Sequence, residues 1–396
     1  MKKIIACVLV AVLCLTLPVY AEGKASQTLS EEAYLEKNHL YHEVIDLFDE
    51  KYDETTHGDF YFEENGDAVL NVVPEKFTLE MKADLEKCNA ELRKNPLTAN
   101  GIRIKEVKYT LAELKEIQNG IERYFEPREF YSIGIDTIHN KVEVCLPEEL
   151  PGPRKAVTAR IAPLDAVTVI YDDDKQFFTG EESAKKNSAL QNEIMPLAVA
   201  KEVRPGMKGY NAGPNSYCTF SWGVKRQGKL GYLYVAHGVS QGDNVFYDSV
   251  NIGKVTYTKL GSGVDCAFIE RADSSKTISR KLPNNSFLTY NTPMREFEYE
   301  AGNPVRMYGA VSGLKSGTIV KLNQKLSYPD GKTTITGAVT VTYTAQPGDS
   351  GAPVWRPDTD GDRPLGIHAG MREDGVAAFV LLDRILSYAG MTLYDF

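Results

Sequence analysis

Hydrophobic residues recur at helical spacing in the first part of the chain. The stretch 28–31 has a capping-box pattern, Thr-Leu-Ser-Glu, and predicts a helix that runs to about Glu50. A second helix is predicted before Pro96, because one face carries Met81, Leu85, Cys88 and Leu92. Thr110 to Glu113 is predicted to cap a third helix.

Alternating apolar and polar positions predict strands between and after these helices. Two alternating runs flank His139-Asn140, which is typical of a hairpin, and another run covers 167–171. The first part is therefore expected to be a small α+β unit. We find no catalytic constellation within it, and the polar stretch at about 172–200 is interpreted as a linker.

The second part has a different pattern, with short alternating runs joined by turns. Residues 196–396 hold 24 of the 32 glycines, whereas residues 22–195 hold 8. About 200 residues of short antiparallel strands predict an all-β barrel or sandwich. A helix is expected at 381–389, ended by Gly390.

The net charge and the N-terminal residues indicate what the protein binds and where it is found. The net charge of −9 argues against a general nucleic-acid binder. Lys2-Lys3 precedes an apolar run from Ile4 to Leu17, and Ala21 fits a cleavage site. We therefore expect a signal peptide at 1–21 and a secreted protein, with no stable membrane span elsewhere.

Four cysteines remain after the predicted signal peptide, and export would permit disulfides. Four cysteines allow three connectivities. If the two parts fold separately, Cys88 is expected to pair with Cys145, and Cys218 with Cys266.

The candidate chemistry centres on the stretch 346–353, Gln-Pro-Gly-Asp-Ser-Gly-Ala-Pro. Its glycines allow a sharp bend that presents the Ser350 hydroxyl on one side and the N–H groups of Gly348 and Ser350 towards one point. That geometry predicts a serine nucleophile with an oxyanion hole. A glycine-rich β-turn without catalytic function is the alternative.

A serine nucleophile needs a base and an orienting carboxylate. His237 ends an apolar run and precedes a glycine, and Asp265 is an acid inside an apolar strand, so it is expected to be buried with a partner. The order His237, Asp265, Ser350 is one of the known triad orders.

These residues resemble the chymotrypsin-like serine peptidases, in particular the bacterial streptogrisin and α-lytic group. The block 345–351 resembles that group's A-E-P-G-D-S-G, Val235-Ala236-His237 resembles its T-A-G-H or T-A-A-H, and 309–319 resembles its G-R-T-T-G…G-T-I segment. The closing helix and the leading unit are also similar to parts of that group.

The resemblance implies two six-stranded antiparallel β-barrels, with the triad between them, preceded by a propeptide. The boundaries would be 22–202 for the propeptide and 203–396 for the protease. Protein or peptide substrates would add as an antiparallel strand to Ala369-Gly370-Met371, with Ala345 also in the substrate site. The propeptide would assist folding and occupy the cleft, and the enzyme would be monomeric. Neither metal nor organic cofactor is implied.

Some positions depart from the group's pattern. Gly238 replaces the cysteine that usually follows the histidine, which leaves Cys266 as the available partner for Cys218. Ala369 replaces a serine that usually supports the catalytic aspartate, which puts that support in doubt.

His368 lies in a segment, 366–370, that resembles the glutamyl endopeptidases, where a histidine receives the acidic side chain before the cut. A structural core histidine is the alternative. A preference for Glu or Asp would fit self-cleavage near Glu202-Val203. Two other functions are considered for the whole chain: an inactive homologue that acts as a binding protein, and an esterase on the same fold.

Overall fold

The structure, a computed structural model, describes most of the chain outside its first 28 residues. The described residues are 29–149, 158, 160–161, 164–178, 202–211, 217–248, 250–289, 292–295, 298–359, 361–372 and 374–394. The predicted signal peptide, 1–21, lies outside them, as does most of the predicted linker. None of the described helices is both long and apolar enough to cross a membrane.

The leading part is an α+β unit, as the sequence predicts. Its helices are α1 (Glu31–Asp49), α2 (Leu79–Leu92) and α3 (Leu111–Glu122). Its strands are β1 (His57–Phe62), β2 (Ala68–Val72), β3 (Arg103–Glu106), β4 (Ser132–Asp136), β5 (Lys141–Leu146), β6 (Val167–Tyr171) and β7 (Phe177–Phe178).

The helix starts follow the capping chemistry in the sequence. Ser30 caps α1, with its hydroxyl accepting from the Ala33 N–H at 3.2 Å. Thr110 and Glu113 form a reciprocal capping box at the start of α3. Both caps satisfy N–H groups that have no partner inside the helix. The predicted start of α3 is confirmed, whereas α1 is capped by Ser30, two residues after the Thr28 of the predicted capping box, which lies outside the described residues.

The leading part has two hydrophobic cores. One lies between α1, α2 and the sheet β1-β2-β3, and the other between α3 and strands β4, β5 and β6. The hairpin predicted around His139-Asn140 joins β4 to β5, and Asn140 has a φ of +53° there. Strands β1 and β2, which the sequence analysis does not predict, are buried almost throughout. A short, fully buried strand gives no alternation to detect.

The second part forms two antiparallel sheets. The first contains strands in the order β10-β9-β13-β14-β15-β12-β11-β23. Its members are β9 (Lys208–Tyr210), β10 (Tyr217–Thr219), β11 (Gly223–Arg226), β12 (Lys229–Tyr234), β13 (Asn244–Tyr247), β14 (Val250–Gly261), β15 (Val264–Arg271) and β23 (Met391–Leu393). Outside it, β8 (Glu202–Val203) pairs with β16 (Thr277–Ile278).

The second sheet closes on itself as a barrel of six strands. Their order is β17-β20-β21-β22-β19-β18, and β18 pairs back with β17. The strands are β17 (Pro304–Gly309), β18 (Gly313–Ser327), β19 (Thr334–Val341), β20 (Pro353–Arg356), β21 (Arg363–Arg372) and β22 (Ala377–Leu381). The predicted closing helix, α4 (Leu382–Ala389), ends at Gly390 in the left-handed conformation.

The leading part joins the barrel through two strand pairings. Strand β18 continues beyond the barrel and pairs with β4, where Lys325 lies opposite Ile133. Strand β7 pairs with β21, where Phe178 lies opposite Met371. Residues 172–178, the described start of the predicted linker, are therefore packed against the barrel.

The predicted disulfides are wrong, because no disulfide joins any of the four described cysteines. Cys218 lies on β10 and Cys266 on β15, and three strands separate β10 from β15 in the sheet. Cys88 belongs to the helix α2, whereas Cys145 lies on β5 in another sheet. Linear spacing carries no information on these separations.

Candidate active site

The turn that carries Ser350 lies between β19 and β20. Gly348 has a φ of +100° and Gly351 a φ of +90°, a region that side chains with a Cβ avoid. A Cβ on Gly348 would lie 2.1 Å from Cε2 of Tyr217, and one on Gly351 would lie 2.4 Å from the Thr219 carbonyl oxygen. Both glycines are therefore required by conformation and by space.

Thr219 holds this turn against the first sheet. Its backbone N–H donates to the Ser350 carbonyl oxygen at 2.7 Å, and its hydroxyl donates to the Gly348 carbonyl oxygen at 2.9 Å. The Ala310 N–H donates to the same hydroxyl at 3.1 Å. The turn is thus fixed to both halves of the second part.

His237, shortly after β12, contacts Asp265, which lies on β15 of the same first sheet. His237 Nδ1 lies 2.5 Å from Asp265 Oδ2, and the side chains are 4% and 0% exposed. Asp265 Oδ1 accepts from the N–H groups of Ala236 at 2.7 Å and His237 at 3.1 Å. The buried acid therefore has the partners that the sequence analysis expected.

The pKa of Asp265 reflects two opposing effects. Burial alone raises the pKa of this carboxyl group, but the charge on His237 and the hydrogen bonds from His237 and Tyr328 outweigh burial. The net pKa of Asp265 is lowered. The group stays a carboxylate, as an orienting partner for an imidazolium must.

Tyr328 is a site residue that the sequence analysis missed. It lies just after β18, and its hydroxyl donates to Asp265 Oδ2 at 2.6 Å. Its ring also packs against the His237 ring, with centroids 5.9 Å apart. Tyr328 therefore supplies Asp265 with a hydrogen bond that the alanine at 369 cannot give. No motif around Tyr328 marks this role.

Two adjacent residues of β10, Cys218 and Thr219, contact the backbone next to His237 and the serine turn, respectively. A Cβ on Gly238, which follows His237, would lie 2.5 Å from Cys218 Sγ. The next residue, Thr219, binds the Ser350 carbonyl oxygen. The stretch 217–219 therefore connects the backbone beside His237 to the serine turn.

Asp349 anchors the serine turn from inside the barrel. It is fully buried, and its Oδ1 accepts from the N–H groups of Val311 at 2.9 Å and Ser312 at 3.2 Å. Its Oδ2 accepts from the Gln346 N–H at 2.8 Å and from the Ser312 hydroxyl. A Cβ on Gly309 would lie 2.2 Å from Asp349 Oδ1, so that glycine is needed for the carboxylate to fit.

His368 lies directly behind the serine turn. The Gly351 N–H donates to the His368 carbonyl oxygen at 2.8 Å, and the His368 N–H donates to Ala352 at 2.9 Å. The ring is buried, and Nδ1 lies 3.2 Å from the hydroxyl of Tyr343. Burial lowers the pKa of His368 to about 4, so the ring is uncharged at neutral pH.

The predicted substrate edge lies on β21. Beyond Ile367, the edge of β21 that faced β20 is no longer paired with that strand, and β7 pairs there with Met371 and Arg372. Ala369 is buried at an irregularity in the pairing with β22, and Ala345 is buried at the start of the serine turn. All five predicted substrate-site residues therefore lie on β21 or the serine turn.

Strand β7 also contacts Tyr328. The buried Phe177 ring stacks on the Tyr328 ring, with centroids 5.7 Å apart. Lys175 Nζ lies 2.7 Å from Asp374 Oδ2, just beyond β21. The segment 172–178 therefore contacts both β21 and Tyr328.

The second part has the fold of the chymotrypsin-like serine proteases. Its closed six-stranded barrel stands beside a second antiparallel sheet, with His237 and Ser350 at the junction. The predicted fold class is confirmed. The first sheet has eight strands, where the resemblance implied six, and β23 from near the end of the chain is one of the eight.

Solved structures with this fold match about half of the chain. Thermobifida fusca Protease A is 25% identical, and the match covers 49% of this chain and 100% of that chain, with a TM-score of 0.42. The Nocardiopsis protease NAPase is 19% identical over 49% of this chain and 100% of its own, with a TM-score of 0.41.

A third match is described as a glutamic acid specific serine protease that uses a novel histidine triad in substrate binding. It is 22% identical over 48% of this chain and 100% of its own, with a TM-score of 0.42. No protein-family model matches the sequence, and no curated protein matches it. Among the described residues, no three His, Cys, Asp or Glu side chains are grouped to hold a metal ion.

Proposed function

We propose that the chain is a serine endopeptidase in which Ser350, His237 and Asp265 form the catalytic triad. The buried contact between His237 Nδ1 and Asp265 Oδ2, at the junction that also holds the serine turn, carries this proposal. A carboxylate in this position fixes the imidazole tautomer and leaves Nε2 as the base.

The mechanism follows from these positions. Nε2 of His237 takes the Ser350 proton as Oγ attacks the peptide carbonyl, and the resulting imidazolium then protonates the leaving amine. The N–H groups of Gly348 and Ser350 stabilise the oxyanion of the tetrahedral intermediate. Water attacks the acyl-enzyme in the second half of the reaction, with His237 again acting as the base.

The leading part, 22–202, would be a propeptide of a secreted enzyme that carries a signal peptide at 1–21. Two contacts support this role. Strand β7 lies on the edge of β21, where a substrate strand would pair, and β4 pairs with β18. Removal of the propeptide near Glu202-Val203 would uncover the cleft.

His368 supports a preference for Glu or Asp before the cut. Tyr343 is fully buried and burial raises the pKa of its phenol, so the hydroxyl stays protonated and can donate to Nδ1. A neutral His368 ring then carries its proton on Nε2, where it can donate to a substrate carboxylate.

The test of the activity is the Ser350→Ala variant. We expect it to lose peptide hydrolysis and labelling by a serine-directed phosphonate, because the nucleophile is absent. The matched control is Ser387→Ala, an exposed serine on α4, which should keep both. Hydrolysis that persists in Ser350→Ala would contradict the triad.

The same labelling separates the alternatives. An inactive homologue would not react with the phosphonate, and an esterase would react but would cleave small esters in preference to peptides. For the specificity, we expect His368→Ala to reduce cleavage after Glu much more than cleavage after Gln in matched peptides. An equal reduction would show that His368 is a structural core residue.

A further inference from the structure

A half-buried lysine on β9, Lys208, lies beside Tyr217, whose ring contacts the serine turn. Lys208 Nζ is 4.0 Å from the ring centroid of Tyr217 and 6.0 Å from that of Tyr210. The two ring centroids are 6.0 Å apart. The three side chains come from the adjacent strands β9 and β10, and the two tyrosines frame the ammonium group between them.

Tyr217 of this cluster packs on the serine turn at Gly348. The Tyr217 ring fills the space that a Cβ on Gly348 would need, with Cε2 at 2.1 Å. The strand that carries Tyr217 also holds Ser350 in place, through the Thr219 N–H. Lys208 is therefore linked to the serine turn through the Tyr217 ring, which contacts both the ammonium group and Gly348.

The direction of a bound peptide places this cluster on the leaving-group side. The acyl part of the substrate pairs with β21, which reaches the serine turn through the bond from the Gly351 N–H to His368. Thr219 contacts the same turn from the first sheet. A peptide chain that leaves β21 and crosses Ser350 then continues over β10, where Tyr217 and Lys208 lie.

The charge of Lys208 is available to a ligand. Among the residues that the structure describes, no carboxylate oxygen lies within ion-pair distance of its Nζ, and the neighbouring stretch 212–216 contains no acidic residue. The nearby Asp349 accepts four hydrogen bonds from its own turn and from 311–312. Burial lowers the pKa of Lys208, while Asp349 opposes that effect.

We propose that Lys208, framed by Tyr210 and Tyr217, is a specificity-determining residue that favours an acidic side chain one or two positions after the scissile bond. The inference rests on the proposed peptidase activity. An aspartate or glutamate there would meet an ammonium group beside two aromatic rings, with part of its hydration already removed.

The experiment compares peptides that differ only after the cut. Internally quenched peptides carry Glu, Gln or Lys at the first or second position after the scissile bond, and the enzyme obtained from the full chain is assayed for kcat/KM. We expect the Glu peptides to be cleaved about fivefold faster than the Gln peptides, the size of a well-formed exposed ion pair. The difference should shrink at 1 M salt, because salt screens the interaction.

Variants then assign the preference to the lysine. Lys208→Met should remove the Glu-over-Gln difference, and Lys208→Glu should favour the Lys peptides. The matched control is Lys254→Met, an exposed lysine on β14, which should change nothing. A chromogenic anilide substrate has no residues after the cut, so Lys208→Met should leave its hydrolysis unchanged.

Two outcomes overturn the inference while leaving the peptidase activity in place. One is equal cleavage of the Glu and Gln peptides by the unmodified enzyme. The other is an equal loss of all substrates, the anilide included, in Lys208→Met, which would mean that Lys208 only supports the Gly348 turn. A protein that cleaves none of the peptides and does not react with the phosphonate overturns the proposed function as well.

Discussion

Tyr328 donates a hydrogen bond to Asp265, a role that the family resemblance gives to a serine where this chain has Ala369. Four donors surround Asp265: the Ala236 and His237 N–H groups, the His237 ring and the Tyr328 hydroxyl. Tyr328 is 63 residues away from Asp265 in the sequence. The serine, histidine and aspartate could be found from local motifs, but Tyr328 could not, because only the barrel topology brings it to the aspartate.

We expect Tyr328→Phe to lower kcat/KM by about tenfold, since it removes a hydrogen bond to a buried carboxylate. The hydrogen bond from Tyr328 lowers the pKa of Asp265, so its loss makes the Asp265–His237 pair bind a proton more readily. The acid limb of the pH profile for kcat/KM should therefore move to higher pH.

The control for this substitution is Tyr388→Phe on α4, whose ring is 51% exposed. It should leave the rate and the pH profile unchanged. A lower rate in Tyr328→Phe with no movement of the acid limb would show a general packing defect and not support of the aspartate.

Among the elements, β7 is the one whose role differs most from its sequence pattern. The stretch from 172 is polar and begins with three aspartates, a composition that predicts a linker. In the structure Phe177 is buried against Tyr328, and Lys175 bridges to Asp374. Two adjacent phenylalanines are too short a run to identify as a strand, and their partner, β21, is almost 200 positions away.

We expect Phe177→Ala to loosen this segment from the cleft. Replacing a buried phenylalanine by alanine costs about 3 kcal/mol, most of it in the contact with the second part. The full chain should then react with the phosphonate sooner after expression, and peptide hydrolysis should appear earlier.

Phe287→Ala is the matched control, because Phe287 is 63% exposed. It should leave the time course unchanged. If Phe177→Ala reacts no faster than the unmodified chain while remaining folded, β7 does not limit access to Ser350.

At the scale of the whole molecule, the leading part and the barrel line a partly open pocket of about 350 Å³ that includes five carboxyl groups. Glu300, from the second part, is fully buried there, and burial raises its pKa well above the usual range. Burial also raises the pKa of Asp59, from the leading part, to about 6, with Asp49 adding to the effect. The titratable and charged groups that act on Glu300 are Asp46, Asp49, Asp59, His42 and Arg356.

These raised pKa values give the full chain a defined pH dependence. A carboxyl group whose folded pKa is raised binds its proton more tightly in the folded state, so stability falls as pH rises from about 4 to the folded pKa. For Asp59 that window ends at about 6. We therefore expect the melting temperature of the full chain to fall across this range.

Asp59→Asn should reduce that fall and stabilise the full chain at pH 8 by about 1–3 kcal/mol. Asparagine has the same shape and tolerates the φ of +83° at this position. The measurement is the melting temperature between pH 4 and pH 8, with the exposed Glu75→Gln as control. Parallel curves for Asp59→Asn and the unmodified chain would contradict the role given to this acid.

The sequence was informative where chemistry is local and uninformative where it depends on packing. The cap at Thr110, the barrel class and the Ser350 turn all follow from short patterns. The cysteine pairings failed because a disulfide depends on distance in space. The contacts of Tyr328 and Phe177 were missed for the same reason.

The bonding of Asp349 has a consequence for how such an enzyme would be switched on. Every donor to this carboxylate comes from residues 311, 312 and 346 of the second part, and none is a chain terminus. Cutting the chain near 202 frees a new amino group, but that group has no vacant carboxylate to reach at Asp349. The turn bearing Gly348 and Ser350 is already assembled in the full chain, so under the proposed processing, activation would only need to uncover a site that is already formed.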